Sequence, residues 1–338
     1  MNSYQRVMAV INNTIPDQTP NLNIMMTKIA KDISVNYKEF CLSSKLLVEG
    51  NLYCTEKYNL DAVTIMKCPI AEFHDLGGET GFPDDDVPYP IVPLIKNKQD
   101  LLKLKLVNPL NGKMMAINID AIESYAKQIK GEIPIIGWVE GCFAESADLM
   151  GVSEFLITLA DDEDDFIPDL LEFVLQQQLL YAKAQIDAGA DIIGVGDAIS
   201  SVAGPSMYEE YAGEYQFKLL SGIKEMGGKT KLHICGNTTP FLDKLPYDVI
   251  DILDVDWMVD IKKAKIASQE RCVLSGNYDP VACLLQNTPN DVDRVVRKAL
   301  DGQSLSRYIS SAGCEVPKFT PDENLLQVSS TLKQLALK

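Results

Sequence analysis

The sequence runs Asp191-Ile192-Ile193-Gly194-Val195 and, after a stretch of helical periodicity at 206–227, continues Lys231-Leu232-His233-Ile234-Cys235. Both short runs contain β-branched residues and are bounded by polar or small residues, which favours strands. The stretch between them has the spacing of apolar residues that is typical of an amphipathic helix. The order of strand, helix and strand predicts a parallel βαβ unit.

The same alternation extends in both directions along the chain. Further strands are predicted at 62–66, 133–139, 252–255, 272–276 and 308–311, and further helices at 166–188 and 290–302. This pattern indicates a parallel sheet covered on both faces, either a closed barrel or an open doubly wound sheet. Most strands end in polar or small residues, which favours the barrel, because barrel active sites collect the carboxyl ends of strands.

We therefore predict an α/β fold, a (β/α)8 TIM barrel with an N-terminal helical extension, in a single domain at 1–338. Residues 1–60 form the extension and 61–338 the barrel. A dinucleotide-binding sheet is disfavoured because Gly194-Val195-Gly196 has no third glycine in place. Segment 68–118 interrupts the alternation and is expected to form loops and a small hairpin over one barrel end.

Charge and composition exclude several functional classes. The chain has 31 Lys and Arg against 48 Asp and Glu, a net charge of −17, which disfavours nucleic acids and anionic membranes as partners. No apolar run approaches the roughly 20 residues of a membrane span, and the first residues lack the features of a signal peptide. The 8 scattered cysteines do not suggest a disulfide framework. We therefore expect a cytoplasmic protein.

Three residues form a candidate metal site. His233 and Cys235 are two positions apart on a predicted strand, so their side chains leave the same face, and Cys314 follows another predicted strand. In a barrel both strand ends lie at one mouth. One imidazole and two thiolates suit zinc, and a set of three protein ligands leaves a fourth position open, as in catalytic sites. The alternative is a core histidine with two buried thiols; Gly236 and Gly313 beside the cysteines favour the metal.

A family resemblance is carried by five stretches: 137–151, 190–211, 233–237, 274–280 and 311–317. They resemble the uroporphyrinogen decarboxylase superfamily and, more closely, its zinc-dependent, corrinoid-linked methyltransferase branch. The similarity covers roughly residues 60–320, and its most specific part is the His-x-Cys pair with a distant cysteine. It implies a (β/α)8 barrel in which His233, Cys235 and Cys314 hold zinc.

The resemblance implies an enzyme that moves a methyl group between a protein-bound corrinoid and a thiol such as coenzyme M. A second possibility is a substrate:corrinoid methyltransferase of the O-demethylase type, which transfers a methyl group from a methoxylated or other methylated compound to the Co(I) form of the corrinoid. A third, uroporphyrinogen decarboxylase, is disfavoured because residues 21–26 lack the arginine of the corresponding decarboxylase motif. No cobalt-ligating Asp-x-His-x-x-Gly motif is present, so a separate corrinoid protein is expected as the partner.

Polar residues near the predicted strand ends complete the candidate site. Two carboxylates are candidates for proton transfer or for orienting a metal ligand: Glu140 and Asp197. Four more residues are candidates for binding substrate: Asn237, Asn277, Glu72 and His74. The two asparagines could instead cap helices, and the last two residues lie in a glycine-rich segment that could cover the barrel mouth.

Overall fold

Seven parallel strands form one curved sheet in the computed structural model, which describes residues 1–161 and 166–336. Two further strands form a separate hairpin. Numbered together in chain order, the strands are β1 (Val63–Thr64), β2 (Thr80–Gly81), β3 (Tyr89–Pro90), β4 (Ile135–Glu140), β5 (Ile192–Gly196), β6 (Lys229–His233), β7 (Ile252–Asp254), β8 (Val273–Tyr278) and β9 (Tyr308–Ala312). The sheet runs in the order β1, β4, β5, β6, β7, β8, β9, and β2 pairs with β3 in a separate hairpin.

Helices surround the sheet. They are α1 (Ser3–Ile11), α2 (Thr27–Asp32), α3 (Tyr37–Cys41), α4 (Ser44–Tyr58), α5 (Ala71–Asp75), α6 (Lys98–Leu101), α7 (Met114–Ile129), α8 (Cys142–Met150), α9 (Val152–Ala160), α10 (Phe166–Ala188), α11 (Ile199–Met207), α12 (Gly213–Glu225), α13 (Ile261–Ser268), α14 (Pro289–Leu300) and α15 (Asp322–Gln334). The predicted helices at 166–188 and 290–302 correspond to α10 and α14. The helix predicted at 206–227 is a π-helical turn at Tyr208–Ala212 followed by α12.

A short segment of the N-terminal extension closes the barrel between β9 and β1. Asn21 forms a parallel bridge with Ser310 of β9, and the amide of Leu22 donates to the carbonyl of Ser310 at 3.0 Å. On the other side, the amide of Asp61 donates to the carbonyl of Asn21 at 2.9 Å. The segment thus takes the place of an eighth strand, and the predicted TIM barrel is confirmed.

The N-terminal helix seals the end of the barrel away from the carboxyl ends of the strands. Asn2 caps α1 in a capping box with Gln5, which satisfies amides that the helix leaves unpaired. The buried face of α1 belongs to one cluster with the first inward-facing residues of the strands: Val7, Val10, Ile11, Ile136, Ile192, Ile252, Val273 and Ile309. Burial of these side chains leaves the opposite mouth open for a site.

The segment predicted to interrupt the alternation does so. Residues 68–118 contain the hairpin of β2 and β3, the short helices α5 and α6, and connecting loops. The carboxylates of the acidic run at 161–165 predict a helix start, because negative charge is favourable at a helix N-terminus. Residues 162–165 lie outside the described residues, and α10 is described from Phe166. Over the described part of the chain, no helix combines the length and apolarity needed to cross a bilayer.

Candidate metal centre

His233, Cys235 and Cys314 converge at the barrel mouth. His233 is the last residue of β6, whereas Cys235 lies beyond the strand, in a turn where Gly236 has φ +92°. Cys314 lies in the turn after β9. His233 Nε2 is 2.9 Å from Cys235 Sγ, and the two sulfurs are 3.5 Å apart. The predicted strand reached Cys235; the strand ends earlier because the left-handed glycine turns the chain.

The three side chains fit one metal ion by both chemistry and spacing. Their ligand atoms lie within 4.8 Å of one another, and no other group of this kind occurs in residues 1–161 and 166–336. A tetrahedral zinc site with Zn–S bonds of about 2.3 Å has S–S edges of about 3.8 Å, close to the observed 3.5 Å. A donor set of one imidazole and two thiolates selects zinc among common divalent ions.

The two thiols are electrostatically unlike. The hydrogen bond between them lowers the pKa of Cys314 to about 4 and raises the pKa of Cys235 well above its ordinary value. The hydrogen bond from the Cys235 thiol thus favours the thiolate form of Cys314. The thiolate is the form of cysteine that ligates metals.

A hydrogen bond and a close packing contact hold the two turns that carry Cys235 and Cys314. Asp256 accepts a hydrogen bond from the amide of Gly236 at 2.9 Å and another from the amide of Met258 at 2.8 Å. A Cβ placed on Gly313 would lie 2.2 Å from the backbone nitrogen of Trp257. The loop after β7 is thus packed directly against the turns that carry both cysteines, and Gly313 is required by this contact.

A buried carboxyl pair adjoins β4. Glu140 is the last residue of β4; its side chain accepts from Trp138 Nε1 at 3.1 Å, and its amide donates to Glu72 Oε1 at 3.2 Å. Burial raises the pKa of Glu72 to about 8 and the pKa of Glu140 well above its ordinary value. Burial therefore favours the protonated form of both groups, which suits proton donation better than proton acceptance.

Asp197 anchors helices to the sheet. Its carboxylate accepts from the amide of Ala144 at 3.0 Å, the hydroxyl of Ser200 at 2.8 Å and the side-chain amide of Gln216 at 2.7 Å. The side chain is only 1% exposed, and burial raises its pKa. These contacts occupy both oxygens in holding α8, α11 and α12 together, so a role in proton transfer remains a prediction.

The other candidate substrate residues make local contacts. Asn237 is exposed and accepts from the amide of Thr239 at 3.1 Å, but the residue at the N-cap of the following 3-10 helix is Thr238. Asn277 donates to the carbonyls of Asp256 and Val259 and so braces the loop after β7. His74 Nδ1 lies 3.1 Å from Thr80 Oγ1. A role of these residues in binding substrate remains a prediction.

The sequence reasoning missed a charged pair behind His233. Lys231 and Asp254 form a buried ion pair, and Asp254 Oδ2 is 3.3 Å from His233 Nδ1. Burial lowers the pKa of Lys231 to about 7, and its Nζ contacts Asp254 Oδ2 directly. The available signal was that Lys231 and His233 share one strand face, since they are two positions apart on β6.

Comparison with known proteins relates the chain to one family of enzymes. The uroporphyrinogen decarboxylase (URO-D) family model matches residues 2–335. The methylcobamide:CoM methyltransferase MtbA of Methanosarcina acetivorans is 35% identical over 248 residues, which cover 73% of this chain and 71% of the relative. The uroporphyrinogen decarboxylase of Coxiella burnetii is 24% identical over 317 residues, or 90% of this chain and 85% of that protein.

A solved structure shows the same fold. It is a methyltransferase from Methanosarcina mazei, which superposes with a TM-score of 0.89 over 99% of both chains at 21% identity. The barrel with its N-terminal extension is thus shared along the whole length. The resemblance found in the sequence is confirmed: the chain belongs to the uroporphyrinogen decarboxylase family and is an enzyme of the methyltransferase type within it.

Proposed function

We propose that the protein is a zinc-dependent methyltransferase that moves a methyl group between a corrinoid on a partner protein and a thiol such as coenzyme M. The convergence of His233, Cys235 and Cys314 at the barrel mouth carries this proposal. The name of the 35% identical relative, a methylcobamide:CoM methyltransferase, supports the choice of corrinoid and acceptor.

His233, Cys235 and Cys314 would hold the zinc ion, and three ligands leave one position for substrate. When bound there, zinc would lower the pKa of a thiol so that its thiolate forms near neutral pH. The chain itself fixes where that sulfur can lie. Asp256 holds the turn of Gly236, and the close approach of Gly313 to the loop after β7 holds the other ligand-bearing turn. A fixed thiolate position reduces the entropic part of the barrier.

The exposed rim beside the ligands offers a contact for the partner. Trp257 is 46% exposed and Met258 is 53% exposed, although both are large and apolar. Their loop packs against the turns at Gly236 and Gly313. Tryptophan is enriched among the residues that dominate protein interfaces. We therefore assign this loop to the docking of the corrinoid-bearing protein, which has to approach the metal centre closely for methyl transfer.

The reverse type of reaction is a second candidate because of Glu140. In an O-demethylase type of transfer, methyl passes from an oxygen of the substrate to Co(I), and the departing oxygen needs a proton. A buried carboxyl with a raised pKa can supply one at neutral pH. Thiol methylation instead requires the loss of a proton, and burial favours the form of Glu140 that already carries one. The direction of this pKa shift supports the alternative reaction, whereas the similarity to MtbA supports thiol methylation.

Porphyrinogen decarboxylation has little support from the site. The decarboxylase relative is 24% identical, and residues 21–26 contain no arginine to bind substrate carboxylates. In this segment Asn21 and Asn23 bond to each other, while Met25 and Met26 are buried in the core. A polycarboxylated substrate would meet no cation from this part of the chain.

The metal requirement can be tested with two matched cysteine variants. Cys314→Ala removes a ligand, whereas Cys283→Ala removes a buried thiol that lies outside the group of three. We expect the first variant to lose zinc and methyl transfer and the second to keep about one zinc per chain. Full zinc content and activity in Cys314→Ala would contradict the assignment. Assaying both variants with methylated corrinoid plus thiols, and with Co(I) corrinoid plus methoxylated compounds, separates the two candidate reactions.

A further inference from the structure

A lysine and an aspartate lie behind the metal-ligating imidazole, inside the barrel. Lys231 and His233 point from the same face of β6, and Asp254 is the register partner of His233 on β7. All three side chains are buried, with exposed fractions of 3% for Lys231, 3% for His233 and 7% for Asp254. The three groups therefore interact where water screens them little.

The imidazole of His233 has different neighbours on its two nitrogens. Nε2 faces Cys235 Sγ at 2.9 Å and is the nitrogen available to a metal. Nδ1 lies 3.3 Å from Asp254 Oδ2. This separation is not aligned as a hydrogen bond, and Nδ1 and Asp254 Oδ1 are both buried atoms without one. A buried N–H without an acceptor is unfavourable, so a small rotation of the ring that aligns Nδ1 with Asp254 would be favourable.

Lys231 gives the carboxyl group of Asp254 a polar partner inside the barrel. Its Nζ contacts Asp254 Oδ2 directly and lies 5.8 Å from the centre of the Trp138 ring. The cavity that Lys231 lines is otherwise mostly apolar, with Leu22 and Ile136 among its walls. A carboxyl group without a polar partner is strongly disfavoured in such surroundings, and Lys231 supplies that partner. The contact holds Asp254 Oδ2 next to the imidazole of His233.

We propose that Asp254, held in place by its contact with Lys231, is a positioning residue for the metal centre. After a small rotation of the His233 ring, it accepts a hydrogen bond from Nδ1–H and so presents the lone pair of Nε2 to the metal. The inference rests on the metal site of the proposed function, but not on the identity of the methyl donor or acceptor. Outer partners of this kind change metal affinity by roughly 10–100-fold when they are removed.

The test has to separate positioning from stability, because Asp254→Leu alone leaves Lys231 buried and unpaired. The double variant Lys231→Met/Asp254→Leu replaces both polar groups with apolar side chains of similar size, which often restores stability.

Asp251→Asn is the matched control, because Asp251 precedes β7 and pairs with Lys224 at 2.9 Å, away from the ligands. Zinc affinity is measured by competition with a chelator, and ligand geometry by the absorption spectrum of the Co(II)-substituted protein. Thermal unfolding reports stability.

We expect the double variant to unfold near the wild-type temperature yet to bind zinc roughly 10–100-fold more weakly, with an altered Co(II) spectrum. Asp251→Asn should keep wild-type affinity and spectrum. If the double variant fails to fold, Asp254→Asn replaces it: this variant keeps an acceptor oxygen but loses the charge, and we expect an intermediate loss of affinity.

Wild-type zinc affinity and Co(II) spectrum in these Asp254 variants would overturn the inference. A wild-type protein that binds neither metal would overturn the inference together with the metal site. Metal binding that depends on Asp254, in a protein that transfers no methyl group, would support the positioning role and contradict only the proposed function.

Discussion

Replacement of Glu72 with glutamine tests whether the buried carboxyl beside β4 is neutral in the folded protein. Glu72 is 2% exposed, and its Oε1 accepts from the amide of Glu140 at 3.2 Å. Glutamine has nearly the same shape and keeps a carbonyl oxygen for this bond. The substitution therefore removes the ionisable group and leaves the packing of α5 against the barrel unchanged.

The size of the effect follows from proton linkage. Burial raises the pKa of Glu72 from 4.5 to about 8, so between these values the folded state binds a proton that the unfolded state has lost. The unfolding free energy of the wild type therefore falls as pH rises through this window. Each pKa unit corresponds to about 1.4 kcal/mol, and about 2.5 units separate the ordinary pKa from pH 7, which makes the loss about 3 kcal/mol.

Urea denaturation at pH 4 and pH 7 measures this difference. We expect Glu72→Gln to gain about 3 kcal/mol of unfolding free energy relative to the wild type on going from pH 4 to pH 7. Glu225→Gln, an exposed position on α12, serves as the control and should follow the wild type at both values. If the Glu72→Gln and wild-type profiles run parallel, Glu72 is ionised in the folded protein and the reasoning is wrong.

Three other substitutions have defined outcomes. Gly313→Ala would place a Cβ 2.2 Å from the backbone nitrogen of Trp257. We expect the unfolding free energy, measured by thermal unfolding, to fall by about 1–3 kcal/mol and zinc to bind more weakly in chelator competition. Wild-type zinc affinity in this variant would contradict the role of Gly313 in holding the turn of Cys314. Lys28→Met leaves the carboxylates of Asp32 and Asp322 without this buried cation. We expect the unfolding free energy in urea to fall by about 3 kcal/mol. An unchanged urea midpoint would contradict a stabilising role for these two ion pairs. Trp257→Ser should raise KM for the methylated corrinoid protein by roughly 30-fold without changing KM for free methylcobalamin; equal changes in both would argue against docking.

Local signals in the sequence were sufficient to predict the barrel and the spatial grouping of His233, Cys235 and Cys314. The strands are short runs bounded by turn residues, and the parallel order follows from the helices between them. His233 and Cys235 lie close together in sequence, and Cys314 follows another strand, so any parallel barrel brings them to one mouth. Sequence position and side-chain chemistry together predicted a group that the structure confirms as close in space.

Features that depend on contacts between distant segments could not be predicted in the same way. Asn21 lies in no apolar run, and its segment becomes part of the barrel only by pairing with Ser310. Lys231 and Asp254 meet because β6 and β7 are neighbours in register. The burial that raises the pKa of Glu140 is likewise a tertiary property, because its position at a strand end was equally compatible with a solvated loop.

The central claim is tested most directly by mixing zinc-loaded protein with methylcobalamin and a panel of thiols that includes coenzyme M. The loss of methylcobalamin is followed by absorbance and the methylated thiol is identified. We expect methyl transfer to at least one thiol, which stops when a chelator removes the metal and resumes when zinc is restored. Absence of thiol methylation, together with methylation of Co(I) corrinoid by a methoxylated compound, would contradict the proposed reaction and establish the alternative.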